Sequence, residues 1–116
     1  MDSRPLTHAA ILRGIGVVTV TPLAALLLET IGVAPECVGI EHQHGRWGGI
    51  AGVRRSLWAH NASMDALGIG GWISLHEVGR DVLLWVVTSI AVSAVQRRTN
   101  IYLLGESPPV FGGIGE

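Results

Sequence analysis

The sequence contains no lysine, a single cysteine (Cys37), and only 15% charged residues in a chain of 116. One cysteine excludes an internal disulfide framework. Eight arginines against nine acids give a net charge of −1 and form no basic run, which excludes a nucleic-acid footprint. Average globular domains carry roughly 25% charged residues. Because 48% of the residues are hydrophobic and the mean hydropathy is +0.44, the composition predicts a chain covered by lipid or by a large protein partner.

At this length the chain has room for one core only, so we expect a single small unit over residues 1–116. Two long apolar runs contain almost no charged residues. These runs divide the unit into a first apolar span (8–33), a connecting segment (34–73), a second helix (74–98) and a tail (99–116).

No charge interrupts the 14 residues Val82–Val95. Just before this run, Ser74 and Glu77 have the spacing of a capping box, in which each side chain bonds the backbone amide of the other residue. The pattern predicts a helix over 74–98. From Arg80 to the end of that helix the rise would be about 27 Å. With snorkelling arginine side chains this approaches the ~30 Å core of a bilayer, so we expect the helix to be transmembrane.

The first apolar run, residues 8–33, has two interpretations. Beyond position 13 its only charged residue is Glu29. As one element it is a membrane helix with a kink at Pro22, since proline is tolerated in such helices. Alternatively, "IGVVTVT" is a strand, Thr21 caps a short helix that begins at Pro22, and Gly32 ends it. Composition favours the first interpretation and local rules favour the second; we expect the membrane helix.

The connecting segment 34–73 is rich in glycine and tryptophan, which indicates turns and irregular backbone. Around Leu57, apolar residues recur at helical spacing while Arg54 and Arg55 lie on another face. This pattern predicts a short amphipathic helix that lies at a membrane surface or packs on the rest of the protein. The tail 99–116 contains two consecutive prolines and several glycines, so we expect an extended arm. The fold class predicted is therefore mainly α, with two transmembrane helices joined by this segment.

Aromatic and arginine side chains near the ends of the two spans are typical of a membrane interface. The residues predicted to lie there are Trp47, Trp58, Trp72, Trp85, Tyr102, Arg80, Arg97 and Arg98. Four arginines in the tails are balanced by four in the connection, so the positive-inside rule leaves the orientation open.

The best chemical candidates lie in "CVGIEHQH", where Cys37, His42 and His44 are all possible metal ligands. Their spacing matches no zinc pattern, so the sequence predicts a polar loop there and no metal site. "HEVGR" lacks the second histidine of a zinc protease, and "GIGG" lacks the lysine of a phosphate-binding loop. We therefore expect no catalytic site, no cofactor and no small-molecule substrate.

These observations predict a small integral membrane protein that is a structural or accessory subunit of a larger assembly, such as a respiratory, photosynthetic or virion membrane complex. Its partners would be the lipid bilayer and other protein subunits. One alternative is a holin-like pore-forming membrane protein. Another is a soluble α+β structural subunit of an oligomer or shell, whose apolar segments are buried by neighbouring chains.

Overall fold

The first apolar run folds as a strand followed by a short helix. The computed structural model describes residues 13–49 and 53–106. β-branched residues form strand β1 (Val17–Val20), as expected from their stiff side chains. Thr21 ends the strand and caps helix α1 (Pro22–Ile31), since its Oγ1 accepts from the Ala24 amide at 3.3 Å. Gly32 closes the helix at φ 75°. The prediction of one membrane helix over 8–33 is therefore wrong for the described residues 13–33; residues 8–12 lie outside them.

The connecting segment contains two helices. Helix α2 (Pro35–Gln43) begins with proline at its first position, and helix α3 (Arg54–Leu67) ends at Gly68 in the left-handed conformation. The amphipathic helix predicted around Leu57 is part of α3, which buries Leu57 against the sheet.

The second apolar run forms strands where a helix was predicted. Strands β2 (Ile73–Glu77), β3 (Leu83–Thr88) and β4 (Arg98–Leu103) occupy the region, with a 3₁₀ turn between β3 and β4. Along β3, burial alternates with a period of two residues, the period of a strand. Gly79 at φ 65° and Asp81 at φ 63° turn the chain back between β2 and β3.

The predictions of a helix over 74–98 and of a mainly α fold are therefore wrong. The described chain is an α+β fold with three α-helices and one four-stranded sheet. The predicted extended tail is β4 as far as Leu103; residues 107–116 lie outside the described part of the chain.

The strand order is β1-β4-β3-β2, with β1 parallel to β4 and the other two pairs antiparallel. Helices α1 and α2 cover one face of the sheet and form the main core with β3 and β4; its buried members are Ala24, Leu28, Val38, Leu84, Val86 and Ile101. Helix α3 packs on the opposite face against β2. The outer edge of β2 is met by Trp47 and Gly49, which bond to the Leu75 backbone at 2.9 and 2.8 Å. Strand β1 forms the other edge of the sheet.

No single helix in residues 13–49 and 53–106 is both long enough and apolar enough to cross a membrane. Helices α1 and α2 have such a composition only when taken together, and they are bent by 104° at the break between them. The predictions of transmembrane helices and of an integral membrane location rested on two long helices, and these are not found. For the described residues, the predictions of transmembrane helices and of an integral membrane location are therefore wrong.

Two glycines with the same backbone conformation test how closely the chain before β1 packs against residue 97. Gly16 has φ +69° and Gly32 has φ +75°, but a Cβ on Gly16 would lie 1.8 Å from the Arg97 carbonyl oxygen, whereas a Cβ on Gly32 would meet nothing within 4 Å. Gly32→Ala is expected to destabilise by about 1 kcal/mol from the left-handed conformation alone. Gly16→Ala is expected to cost about 2 kcal/mol more, because β1 must move away from residue 97. Urea unfolding of both variants measures the difference; equal losses would mean that β1 is not seated as described.

Candidate functional site

The loop between β3 and β4, residues 89–97, carries apolar side chains that point away from the protein. Ile90 is 65% exposed, Val92 81% and Val95 86%. Single exposed apolar residues are normal on a protein surface, but a contiguous group marks an interaction site. We call this segment the 89–97 loop.

A buried arginine holds the 89–97 loop in place. Arg97 is only 7% exposed. Its Nε donates to the Ala91 carbonyl at 2.8 Å, and its Nη2 donates to the Val92 and Gly68 carbonyls at 3.1 Å each. Its Nη1 donates to the Gly14 carbonyl at 2.9 Å. Because the planar guanidinium fixes these carbonyls relative to one another, the exposed valines are presented on an ordered backbone, which lowers the entropy lost on binding.

Beneath the loop, arginine and tryptophan side chains stack on one another. Arg97 lies 5.2 Å from the Trp72 ring centroid, and Arg13 lies 5.9 Å from the same ring and 4.9 Å from that of Trp47. Arg13 also donates twice to the Asp65 carboxylate, at 2.9 and 2.6 Å. Cation–π contacts and a bidentate ion pair therefore tie the segment before β1 to α3 and the sheet.

A second polar cluster lies wholly inside the core. His42 of α2 is buried, with Nδ1 2.6 Å from Ser74 Oγ and Nε2 2.8 Å from Thr88 Oγ1. Thr88 Oγ1 lies 2.7 Å from Thr99 Oγ1, which donates to the Ile15 carbonyl at 2.7 Å. One helix, three strands and the segment before β1 are thus joined by a single chain of hydrogen bonds.

The bond directions in this cluster follow from the single hydrogen on each hydroxyl and the single ring hydrogen of a neutral His42. Thr99 uses its hydrogen on a carbonyl, so Thr88 must donate to Thr99. His42 must then donate from Nε2 to Thr88, and its Nδ1 must accept from Ser74. Since the Ser74 hydrogen is now used, His76 Nε2 donates to Ser74 at 2.9 Å. With His42 neutral, the cluster is fully paired only when the ring carries its proton on Nε2.

Burial agrees with this assignment. Desolvation, together with the nearby charges of His76 and Arg13, lowers the pKa of His42 from 6.5 to about 3. Desolvation also lowers the pKa of His76, against the opposing effect of Glu41. His42 and Ser74 are both fully buried and His76 is half-buried, so the cluster joins α2 to the sheet inside the core.

A groove lies beside β1 on the face of the sheet that α1 and α2 cover. Its volume is about 440 Å³. It lies between β1 and α2, and the side chains and backbone that line it include Ile15, Val18, Val20, Gly39 and Ile40. Val18 and Ile40 are also exposed beyond it, at 38% and 48%. We call it the edge groove.

The residues predicted for a membrane interface do not share one surface. Trp47, Trp72 and Arg97 are buried in the stack beneath the 89–97 loop. Trp85 and Tyr102 are half-buried cross-strand partners on β3 and β4. Of the exposed ones, Trp58 donates to the Gly48 carbonyl at 3.0 Å with Arg54 over its ring, Arg80 lies in the β2–β3 turn, and Arg98 begins β4.

The three metal-ligand candidates are separated although all lie in or next to α2. Cys37 is exposed, the two ring nitrogens of His42 are taken by hydroxyls, and His44 Nδ1 lies 2.8 Å from the Ile40 carbonyl. Within residues 13–49 and 53–106, no three His, Cys, Asp or Glu side chains are grouped so as to hold a metal ion.

Sequence analysis missed both the 89–97 loop and the role of Arg97. The sequence predicts the end of a long helix there because residues 89–95 carry no charge. Residues Leu83–Thr88 do carry a strand signal in their β-branched and aromatic content. That signal predicts a strand that ends at Thr88 and is followed by a loop. Comparisons of the chain with protein-family models, with curated proteins and with solved structures found no match.

Proposed function

We propose that the protein is a structural subunit of a homo-oligomer, and that neighbouring copies cover its apolar surface. The observation that carries this proposal is the 89–97 loop, which exposes three large apolar side chains on a backbone anchored by Arg97. An apolar loop left in water would be expected to fold inwards; here the anchor holds it outwards. Full burial of a valine side chain contributes about 1.5 kcal/mol or more, so a partner that covers Val92 and Val95 gains several kcal/mol.

The rest of the described surface supports the same proposal. Twelve large apolar side chains are exposed: Val17, Val18, Leu23, Leu26, Ile31, Ile40, Trp58, Leu67, Ile90, Val92, Val95 and Leu104. A net charge of −1 leaves little electrostatic repulsion between copies. Most oligomers are symmetric assemblies of one chain, which makes a second copy the first partner to test. The role proposed is structural, since the most developed polar cluster is buried.

The proposal is tested by replacing the two most exposed residues of the loop. V92D/V95D places two carboxylates where the neighbouring copy would bury valines, so we expect the mass of the assembly to fall while the fold is kept. Light scattering coupled to size exclusion measures the mass, and circular dichroism and urea unfolding check the fold. The matched control is A62D/S63D, which adds the same charge at exposed positions of α3. If the loop variant keeps the wild-type mass, the 89–97 loop is not the contact.

A further inference from the structure

Strand β1 leaves one edge of the sheet open. On one side it pairs with β4, and no described segment pairs with its other side. The Thr21 amide donates to the Ile101 carbonyl at 3.0 Å, so the backbone groups of Thr21, and by alternation those of Thr19 and Val17, face β4. The amides and carbonyls of Val18 and Val20 therefore point outwards. Two donors and two acceptors are left along this edge.

The edge has none of the usual protection against pairing. Natural edge strands carry charged side chains, proline or a bulge that keeps other strands away. In this chain no charged residue occurs between Gly14 and Leu28, and β1 itself contains no proline. Val17 is 58% exposed at the same edge. Strand β1 therefore brings no charge of its own to the pairing, although the acid Glu36 lines the neighbouring groove.

From this geometry we infer that β1 pairs antiparallel with β1 of a second copy, about a two-fold axis perpendicular to the sheet. This inference rests on the proposed self-association and names one interface of the assembly. The outward groups are self-complementary only when Thr19 lies opposite its own symmetry mate and Val18 lies opposite Val20 of the other copy. That register makes four interchain hydrogen bonds and joins the two four-stranded sheets into one.

The edge groove lies directly beside the proposed contact between the two β1 strands. The two-fold axis keeps the faces covered by α1 and α2 on the same side of the joined sheet. Val18 and Val20 of each copy therefore meet beside the two grooves. Specific interfaces bury roughly 1,000 Å² or more in total, which is more than a four-residue strand provides. The exposed Ile40 and the groove mouth extend the contact on one face, and Val17 extends it on the other. Strand addition of this kind combines backbone hydrogen bonds with pockets for alternate side chains.

The register is tested by a disulfide across the two-fold axis. In the full chain with Cys37→Ser, Thr19→Cys places two cysteines in a non-hydrogen-bonded antiparallel pair, about 4.5 Å apart at Cα, within the range that a disulfide spans. Under mild oxidation we expect a covalent dimer on non-reducing gels. The matched control is Thr30→Cys in the same background, an exposed threonine of α1. The Thr19→Cys dimer is expected to form about tenfold faster or more, because pairing raises the effective concentration of the thiols.

Val18→Pro gives an independent test, because it removes an amide that points away from β4 and should leave the internal pairing intact. We expect this change to abolish the cross-link of Thr19→Cys. If the wild-type protein is oligomeric but Thr19→Cys cross-links no faster than Thr30→Cys, the edge pairing is overturned and the proposed function stands. If residues 107–116 must be removed before the cross-link forms, the chain's own end occupies the edge, and the inference is again overturned. If the wild-type chain is monomeric at every concentration, both the edge pairing and the proposed function are overturned.

Discussion

Replacing His42 by alanine is expected to destabilise the protein by about 3–5 kcal/mol, measured by urea unfolding at a fixed protein concentration. The substitution removes a large buried side chain and leaves a cavity between α2 and the sheet. It also leaves Ser74 without an acceptor and Thr88 without a donor. His44→Ala serves as the control, since that ring is half-buried and lies 2.8 Å from a carbonyl of its own helix. We expect the control to lose less than about 1 kcal/mol.

The same histidine is expected to make the protein sensitive to acid. The pKa of His42 in the folded protein is about 3, below its ordinary value of 6.5, so the unfolded chain takes up a proton first as the pH falls. Its contribution to stability is therefore fully present above pH 6.5 and is lost as the pH falls from 6.5 towards 3. The slope is at most about 1.4 kcal/mol per pH unit for this one group.

A neutral replacement isolates this effect from that of the carboxylates, which also take up protons in acid. His42→Gln is expected to be less stable at neutral pH but to show a shallower loss between pH 6.5 and 3. Parallel stability curves for wild type and His42→Gln would show that His42 is not buried in its neutral form, and the hydrogen-bond directions assigned to the core cluster would fail with it.

Arg97→Ala is expected to cost about 3 kcal/mol or more, because four backbone carbonyls lose the donor that holds them. Arg97→Lys is expected to recover only part of this loss. An ammonium group has three donors and no planar geometry, so it cannot bind the same four carbonyls at once. Urea unfolding measures both variants.

The neighbouring Arg98→Ala is the control for Arg97. Its side chain is exposed at the start of β4, and we expect a change within about 0.5 kcal/mol. Hydrogen exchange of residues 90–96 provides a second readout: the Arg97 variants should lose protection there, since the loop is no longer anchored. Unchanged protection in Arg97→Ala would show that the loop is ordered by other contacts. Under the proposed function, Arg97→Ala should also weaken self-association, because a mobile loop loses more entropy when it is covered.

Local rules predicted the first apolar run better than composition did. Thr21 and Pro22 indicate the start of a helix and Gly32 its end, and each has that role in the structure. Composition favoured a membrane helix because it averages over side chains that the fold separates into buried and exposed sets. Leu28 lies in the core while Leu26, two residues earlier, is exposed.

The second run shows the opposite error. Ser74 and Glu77 match a helix start in spacing, but both lie in β2, where Ser74 bonds to His42 rather than to the backbone of a first turn. The turn at Gly79 and Asp81 carries a hairpin signal that the uncharged stretch after it obscured. The Ser74 and Glu77 spacing favours a helix, whereas the β-branched content of β3 favours the strand that forms.

The site itself was beyond sequence reasoning for a physical reason. His42 is joined to Ser74 and Thr88 across 32 and 46 residues, and Arg97 to Gly14 across 83. Such contacts exist only once the sheet has formed, and no local spacing reports them. The low charge content predicts that something other than water covers the chain, and under the proposed function a second copy covers the exposed loop and the edge strand.

The central claim, that copies of this chain cover each other, is tested most directly by the molar mass of the full wild-type chain in sedimentation equilibrium over a dilution series. We expect a multiple of the 12.3 kDa chain mass that falls towards 12.3 kDa on dilution. A mass of 12.3 kDa at every concentration would contradict it.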